Sequence, residues 1–182
     1  PNLTYIDNLE FAETGELASL SQALQSRKGR FQPTIVSYGD VLFNKYIPQA
    51  LCQEQDDCVI FVDSNWRDQS SYARLGGFAE CSIPNSRKAF NAKIHLKQLG
   101  KTLPEESIHG VWMGFLKLSS SAASQVNDLL LDMLADPANR RAGIPQLVQA
   151  LLKQDVPVRV LYTVGHWLDV NSLEDVVQAG NF

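Results

Sequence analysis

Short runs of β-branched and aromatic residues alternate along the chain with longer stretches whose apolar positions recur every three to four residues. That alternation predicts an α/β architecture. Residues 3–6 (Leu-Thr-Tyr-Ile) read as a strand. Thr14 then stands as a helix cap, with Glu16 in the first turn, where a carboxylate suits the helix dipole. Leu17, Leu20 and Leu24 share one face, and Gly29 marks the stop. Residues 34–38 (Thr-Ile-Val-Ser-Tyr) form a strand that Gly39-Asp40 breaks. A helix to about Glu54 follows, with Pro48 tolerable only near its first turn. The nearly continuous apolar run 58–62 suits a parallel strand buried on both faces, and Asp63 stands at its end.

The segment from Ser64 to Pro104 mixes polar loops with Phe78, Phe90 and Ile94, and short strands or hairpins are expected there. Residues 111–118 read as another strand. A long helix from Ser120 to Ala135 turns Ala122, Val126, Leu129, Leu130 and Met133 inward. Pro145 suits the first turn of a helix carrying Leu147, Val148, Leu151 and Leu152. Residues 158–162 form a final strand, and Ser172-x-x-Asp175 has the form of a capping box opening a last helix. No internal repeat or low-complexity linker interrupts the pattern, so residues 1–182 are expected to form a single domain.

A length of 182 residues is enough for one sizeable core. The net charge of -4 argues against binding a nucleic acid polymer, because no basic excess exists to neutralise a phosphate backbone. The dense basic stretch Arg87, Lys88, Lys93, Lys97 and Lys101 reads as a solvated face or as a local anion-attracting patch. Three cysteines, an odd count without C-x-x-C spacing, suggest buried thiols in a reducing cytoplasm. No apolar run approaches the roughly 18 residues of a membrane span, and no secretion signal is visible, so a cytoplasmic chain with no membrane partner is expected.

Two segments stand out for chemistry. Ser37-Tyr38-Gly39-Asp40 ends an apolar strand, and in open α/β sheets ligands bind beyond the carboxyl ends of strands. The plainer reading is a strand-terminating turn. Gly165-His166-Trp167-Leu168-Asp169-Val170-Asn171 follows a strand and precedes a capped helix. Asp169 and Asn171 alternate along it and so point the same way, and both offer hard oxygen ligands suited to Mg²⁺. The plainer reading makes Asn171 a helix start and Trp167 core. Asp63 is a third strand-end carboxylate, equally suited to touching a ligand or to capping Ser64 or Asn65. His109 and His166 lack metal-ligand spacing and read as loop or core histidines. Lys117 inside an apolar strand needs an anion or an edge position. No G-x-G-x-x-G or G-x-S-x-G occurs, and Gly100-Lys101-Thr102 lacks the first glycine of a P-loop, since position 95 is His95.

Taken in order, four blocks resemble one family: Thr14–Leu20, Ile35–Phe43, Gly114–Ser119 and Gly165–Asp175. It is the nucleotidyltransferase domain found at the C-terminus of phosphoenolpyruvate mutase fusions, related more distantly to phosphocholine and sugar-phosphate nucleotidyltransferases. The resemblance implies a Rossmann-like, GT-A-like nucleotidyltransferase fold with a mixed, mainly parallel sheet flanked by helices. It implies Mg²⁺-dependent transfer of a nucleoside monophosphate, CMP from CTP, to a phosphonate such as 2-aminoethylphosphonate in phosphonate biosynthesis. The metal ligands would fall on Asp40, Asp169 and Asn171, with Asp40, Asp169 and Lys117 as catalytic candidates. Glu16, Ser19, Tyr38, Asp63 and His109 would lie on the substrate side. A homo-oligomer and a fused mutase domain are further partners that the resemblance allows.

Two departures qualify what is implied. Relatives often carry Asp where this chain has Asn171, which makes Asp169 the firmer ligand. They also open with a strand, a Gly-rich, Arg-containing loop and a Pro-Lys pair that hold the triphosphate, and nothing among these 182 residues matches that segment. The chain is therefore expected to be the C-terminal part of a longer domain, and weak or inactive alone. The competing expectation is a non-catalytic module of the same ancestry, used for dimerisation or for holding a mutase product. A hydrolase built on His109 or His166 has no nucleophile motif behind it.

Overall fold

The computed structural model describes residues 3–68, 77–89 and 92–180. The elements in order are α1 (Glu16–Gln25), β1 (Thr34–Ser37), β2 (Val41–Phe43), α2 (Tyr46–Gln53), β3 (Cys58–Asp63), β4 (Phe78–Cys81), β5 (Leu96–Gly100), β6 (Gly110–Leu118), α3 (Ser120–Ala135), α4 (Ile144–Lys153), β7 (Val158–Thr163), β8 (Trp167–Asp169) and α5 (Leu173–Ala179). The main sheet runs β5-β4-β6-β3-β7 with β1 also on β6, and β2 and β8 form a separate two-stranded ribbon.

The apolar runs explain the layering. In β3, Cys58, Ile60 and Val62 pack with Leu17, Ala122, Val126, Leu130, Leu147 and Val148 from α1, α3 and α4. The alternate residues Val59 and Phe61 pack on the other face with Ile47 and Leu51 of α2 and with Val41 and Trp167 of the ribbon. Period-2 alternation thus feeds two cores, and every residue of β3 and β6 is buried. The result is three layers: α1, α3 and α4, then the sheet, then α2 with the β2–β8 ribbon.

The mixed α/β sheet flanked by helices is as expected, but its balance of directions is not. Among the described strands, β3 and β7 pair in parallel, while β1, β3 and β4 each pair antiparallel to β6, and β4 and β5 pair antiparallel to each other. A strand buried on both faces reads the same in either direction, so the apolar runs carried no sign of it.

Several element boundaries also differ. Residues 3–6 form no strand; Leu3 and Tyr5 are exposed, and no strand pairs with them. Gly15, not Thr14, caps α1, because the Thr14 hydroxyl donates instead to the Glu10 carbonyl at 2.9 Å. The strand β2 intervenes before α2, so the helix begins only at Tyr46, and Pro48 falls in its first turn, where a missing N–H costs nothing. The region 64–104 does hold a hairpin-like pair, β4 and β5. Phe90 lies outside the described residues. Cys58 and Cys81 are buried, and burial pushes both thiols up to about 11, whereas Cys52 is exposed. The capping box on α5 is formed as expected, with the Ser172 hydroxyl accepting from the Asp175 N–H at 3.2 Å.

No described helix is long and apolar enough to cross a membrane. Two members of the basic stretch are ion-paired at the surface: Lys93 meets Asp56 at 3.2 Å and Lys97 meets Glu80 at 3.8 Å.

Candidate active site

Strand β1 ends at Ser37, and the chain turns through Tyr38-Gly39-Asp40 into β2. β2 runs antiparallel to β8 with Val41 opposite Asp169, and the Val170 N–H donates to the Asp40 carbonyl at 2.8 Å. Two carboxylates almost 130 positions apart in sequence are thereby delivered to one end of one ribbon. Asp40 is exposed and Asp169 is 6% exposed. Both border a cleft of about 340 Å³, together with Asn171, Tyr38 and Glu16.

The rest of the lining carries two cations. It is built from the end of β5 with Lys101, from Arg141, and from the start of α4 with Gly143, Pro145 and Gln146. The N–H groups at the start of α4 are already paired: Gly143 N–H donates to Gln146 Oε1 at 3.0 Å and Gln146 N–H to the Gly143 carbonyl at 3.1 Å. Arg141 is held by donating to the Ala12 carbonyl at 3.1 Å. Gln149, one turn further along α4, donates to the Leu99 carbonyl and ties α4 to β5.

Glu16 joins Tyr38 to the start of α4. Glu16 Oε2 accepts from the Tyr38 hydroxyl at 2.7 Å and from the Ile144 N–H at 2.9 Å. Burial, and next the hydrogen bond to Glu16, raise the Tyr38 phenol well above its ordinary range, so it stays protonated and remains a donor. The ring of Tyr38 lies edge-on to Trp112 with centroids 5.6 Å apart.

The other sequence candidates lie elsewhere. Lys117 Nζ donates to the carbonyls of Glu54 and Asp56 at 3.2 and 2.6 Å. The Asp63 carboxylate accepts from Asn65 N–H, Gly165 N–H and Trp167 Nε1. His109 Nδ1 accepts from the Cys81 N–H at 3.1 Å. Ser19 accepts from Asn8 at 3.0 Å. None of the four borders the cleft. Conversely, Arg141, Gln146 and Gln149 were not singled out. Their one sequence signal was Arg141 shortly before Gly143 and Pro145, a cation beside a helix start. Lys101 was visible only as one member of the basic stretch.

The donor set can be tested against Mg²⁺. Among the described residues no group of three or more His, Cys, Asp or Glu is placed to hold a metal ion. Two carboxylates and an amide oxygen therefore make no closed protein cage. Mg²⁺ does not ask for one; it is typically bound by one or two carboxylates and completed by water and substrate phosphates. Asp40, Asp169 and Asn171 fit that mode.

The layered sheet, with a strand-end ribbon carrying these residues at its rim, has the fold of the α/β nucleotidyltransferases. Many solved structures share it, three of them as follows. The inositol-1-phosphate CTP transferase from T. maritima matches 93% of this chain with a TM-score of 0.62 at 15% identity. A protein assigned as a glucose-1-phosphate thymidylyltransferase from Bacillus anthracis, in complex with sucrose, matches 97% with a TM-score of 0.63 at 16% identity. The CTP:phosphocholine cytidylyltransferase from Streptococcus pneumoniae matches 96% with a TM-score of 0.62 at 12% identity. The chain spans 60%, 63% and 66% of those three chains, less than two thirds of each. No family model and no curated protein sequence matches it.

Proposed function

We propose that this chain is the acceptor-side part of a nucleotidyltransferase domain that transfers a nucleoside monophosphate, CMP from CTP, to a small phosphonate or phosphate. The observation that carries the reading is that Asp40, just before β2, and Asp169, in its partner strand β8, border one cleft that Lys101 and Arg141 also line. Two of the three fold neighbours are named for CTP chemistry on a phosphorylated small molecule. Following the sequence resemblance, the acceptor is a phosphonate such as 2-aminoethylphosphonate, and the pathway is phosphonate biosynthesis alongside a phosphoenolpyruvate mutase.

In this reaction an acceptor oxygen attacks the α-phosphorus of CTP, the bond from that phosphorus to the α–β bridging oxygen breaks, and pyrophosphate leaves. Lys101 and Arg141 attract the acceptor's anionic group and orient it towards Asp40 and Asp169. Tyr38 and Glu16 fix the spacing across the cleft, so the reacting atoms meet in line. A Mg²⁺ ion held by Asp40, Asp169 and Asn171 would supply charge neutralisation on the transferred phosphate. Asn171 in place of a carboxylate reduces the local negative charge and favours a second reading, a binding module of the same fold without turnover.

Pyrophosphate release separates the two. The intact protein is assayed with CTP, Mg²⁺ and either 2-aminoethylphosphonate or phosphocholine, beside Asp40→Asn. The transferase reading expects Mg²⁺-dependent turnover that falls on the order of 100-fold in the variant. Undiminished turnover in Asp40→Asn overturns it. No turnover, with acceptor binding retained by calorimetry, selects the binding module.

A further inference from the structure

Asp63, at the end of β3, is fully buried, outside the cleft, and unused by the chemistry above. Burying a carboxylate is costly unless its oxygens are bonded, and these are. Oδ1 accepts from the Asn65 N–H at 2.9 Å; Oδ2 accepts from Trp167 Nε1 at 2.8 Å and from the Gly165 N–H at 3.2 Å. One contact of Oδ2 falls on the turn that feeds β8 and the other on the first residue of β8. That turn passes through two consecutive left-handed residues, Gly165 at φ 66° and His166 at φ 65°. The second is a non-glycine held in a costly conformation, which persists only where the surroundings over-determine it. Tyr46 helps, with its hydroxyl 3.3 Å from His166 Nδ1 and 2.5 Å from the Thr163 hydroxyl.

The consequence lies two residues on. β8 is three residues long, with Trp167 and Asp169 buried and Leu168 half-buried between them. Period-2 alternation places the indole and the Asp169 carboxylate on the same face. A three-residue ribbon has little register of its own, and a slip of one residue would turn Asp169 away from the cleft. We infer that Asp63 is a positioning residue: through Trp167 and Gly165 it locks the register of β8 that presents Asp169 beside Asp40. This rests on the proposed metal-binding role of Asp169.

The test is Mn²⁺ affinity, read by electron paramagnetic resonance of the free ion, on the full chain. Five proteins are compared: the wild type, Trp167→Phe, Asp63→Asn, the Asp63→Asn/Trp167→Phe double variant and Asp169→Asn. Trp167→Phe keeps an aromatic ring in the core and deletes the donor together with part of the indole's volume. Urea unfolding of each checks that the fold is retained. The inference expects Trp167→Phe and Asp63→Asn each to weaken Mn²⁺ binding about tenfold, with the double variant no weaker than the worse single one. Unchanged affinity in Trp167→Phe, while Asp169→Asn loses the ion, overturns the positioning role alone. A wild type that binds no Mn²⁺ overturns both this role and the metal reading beneath it. If Asp63→Asn does not fold, Trp167→Phe decides.

Discussion

Lys117 lies within β6 with its ammonium 3.2 and 2.6 Å from the carbonyls of Glu54 and Asp56, just past the C-terminus of α2. A cation there satisfies the C-cap carbonyl of Glu54 and the loop carbonyl of Asp56, and meets the negative end of the α2 dipole. At 6% exposure it has almost no water to replace those bonds. Lys117→Met is therefore expected to lower stability by about 1–3 kcal/mol, measured by urea unfolding; a change within experimental error would refute the assignment. From sequence, a lysine in an apolar strand was expected to meet an anion or to lie on an edge; instead β6 is flanked by β1 and β3 at this position and the partners are backbone carbonyls. The end of α2 was legible within a residue, but its packing beside β6, which brings these carbonyls to Lys117, was not. Asp40 and Asp169 were legible because each terminates an apolar run. Lys101 and Arg141 were not, because their shared cleft arises only when β5 and α4 pack together.

The β2–β8 ribbon and the bend in β6 are the elements on which the site depends. Gly114 interrupts β6 at φ 81°, and a Cβ there would stand 2.7 Å from Cδ2 of Tyr38. Tyr38 cannot easily yield, being packed on Trp112 and bonded to Glu16. Gly114→Ala is thus expected to cost about 2 kcal/mol or more, from strain and displacement of Tyr38 together. Gly39→Ala, with open space around its Cβ and no positive φ, should stay within about 0.5 kcal/mol. Equal losses in chemical denaturation would contradict this reading of β6. Long, strongly patterned elements such as α3, β3 and β7 were legible within a residue or so. The three-residue strands were not, because a ribbon that short lies among turn residues and has no alternation to show. The apparent strand at 3–6 shows the converse, since β-forming residues without a partner strand form no sheet.

At the scale of the whole molecule, the three layers bring together the end of β1, the end of β8 and the start of α4, elements far apart in the chain. An α/β class follows from alternating strand and helix patterns, but the direction of each strand, and hence which ends share a rim, does not. The resulting cleft carries side chains of both signs although the chain as a whole carries a charge of -4. Such a site suits a ligand that brings two anionic groups, one met by cationic side chains and the other through a divalent cation. Crystals of the protein soaked in Mn²⁺ and measured at the manganese absorption edge examine this directly. An anomalous peak bounded by the carboxylates of Asp40 and Asp169 is the expected result; a peak elsewhere, or none at millimolar Mn²⁺, would contradict it.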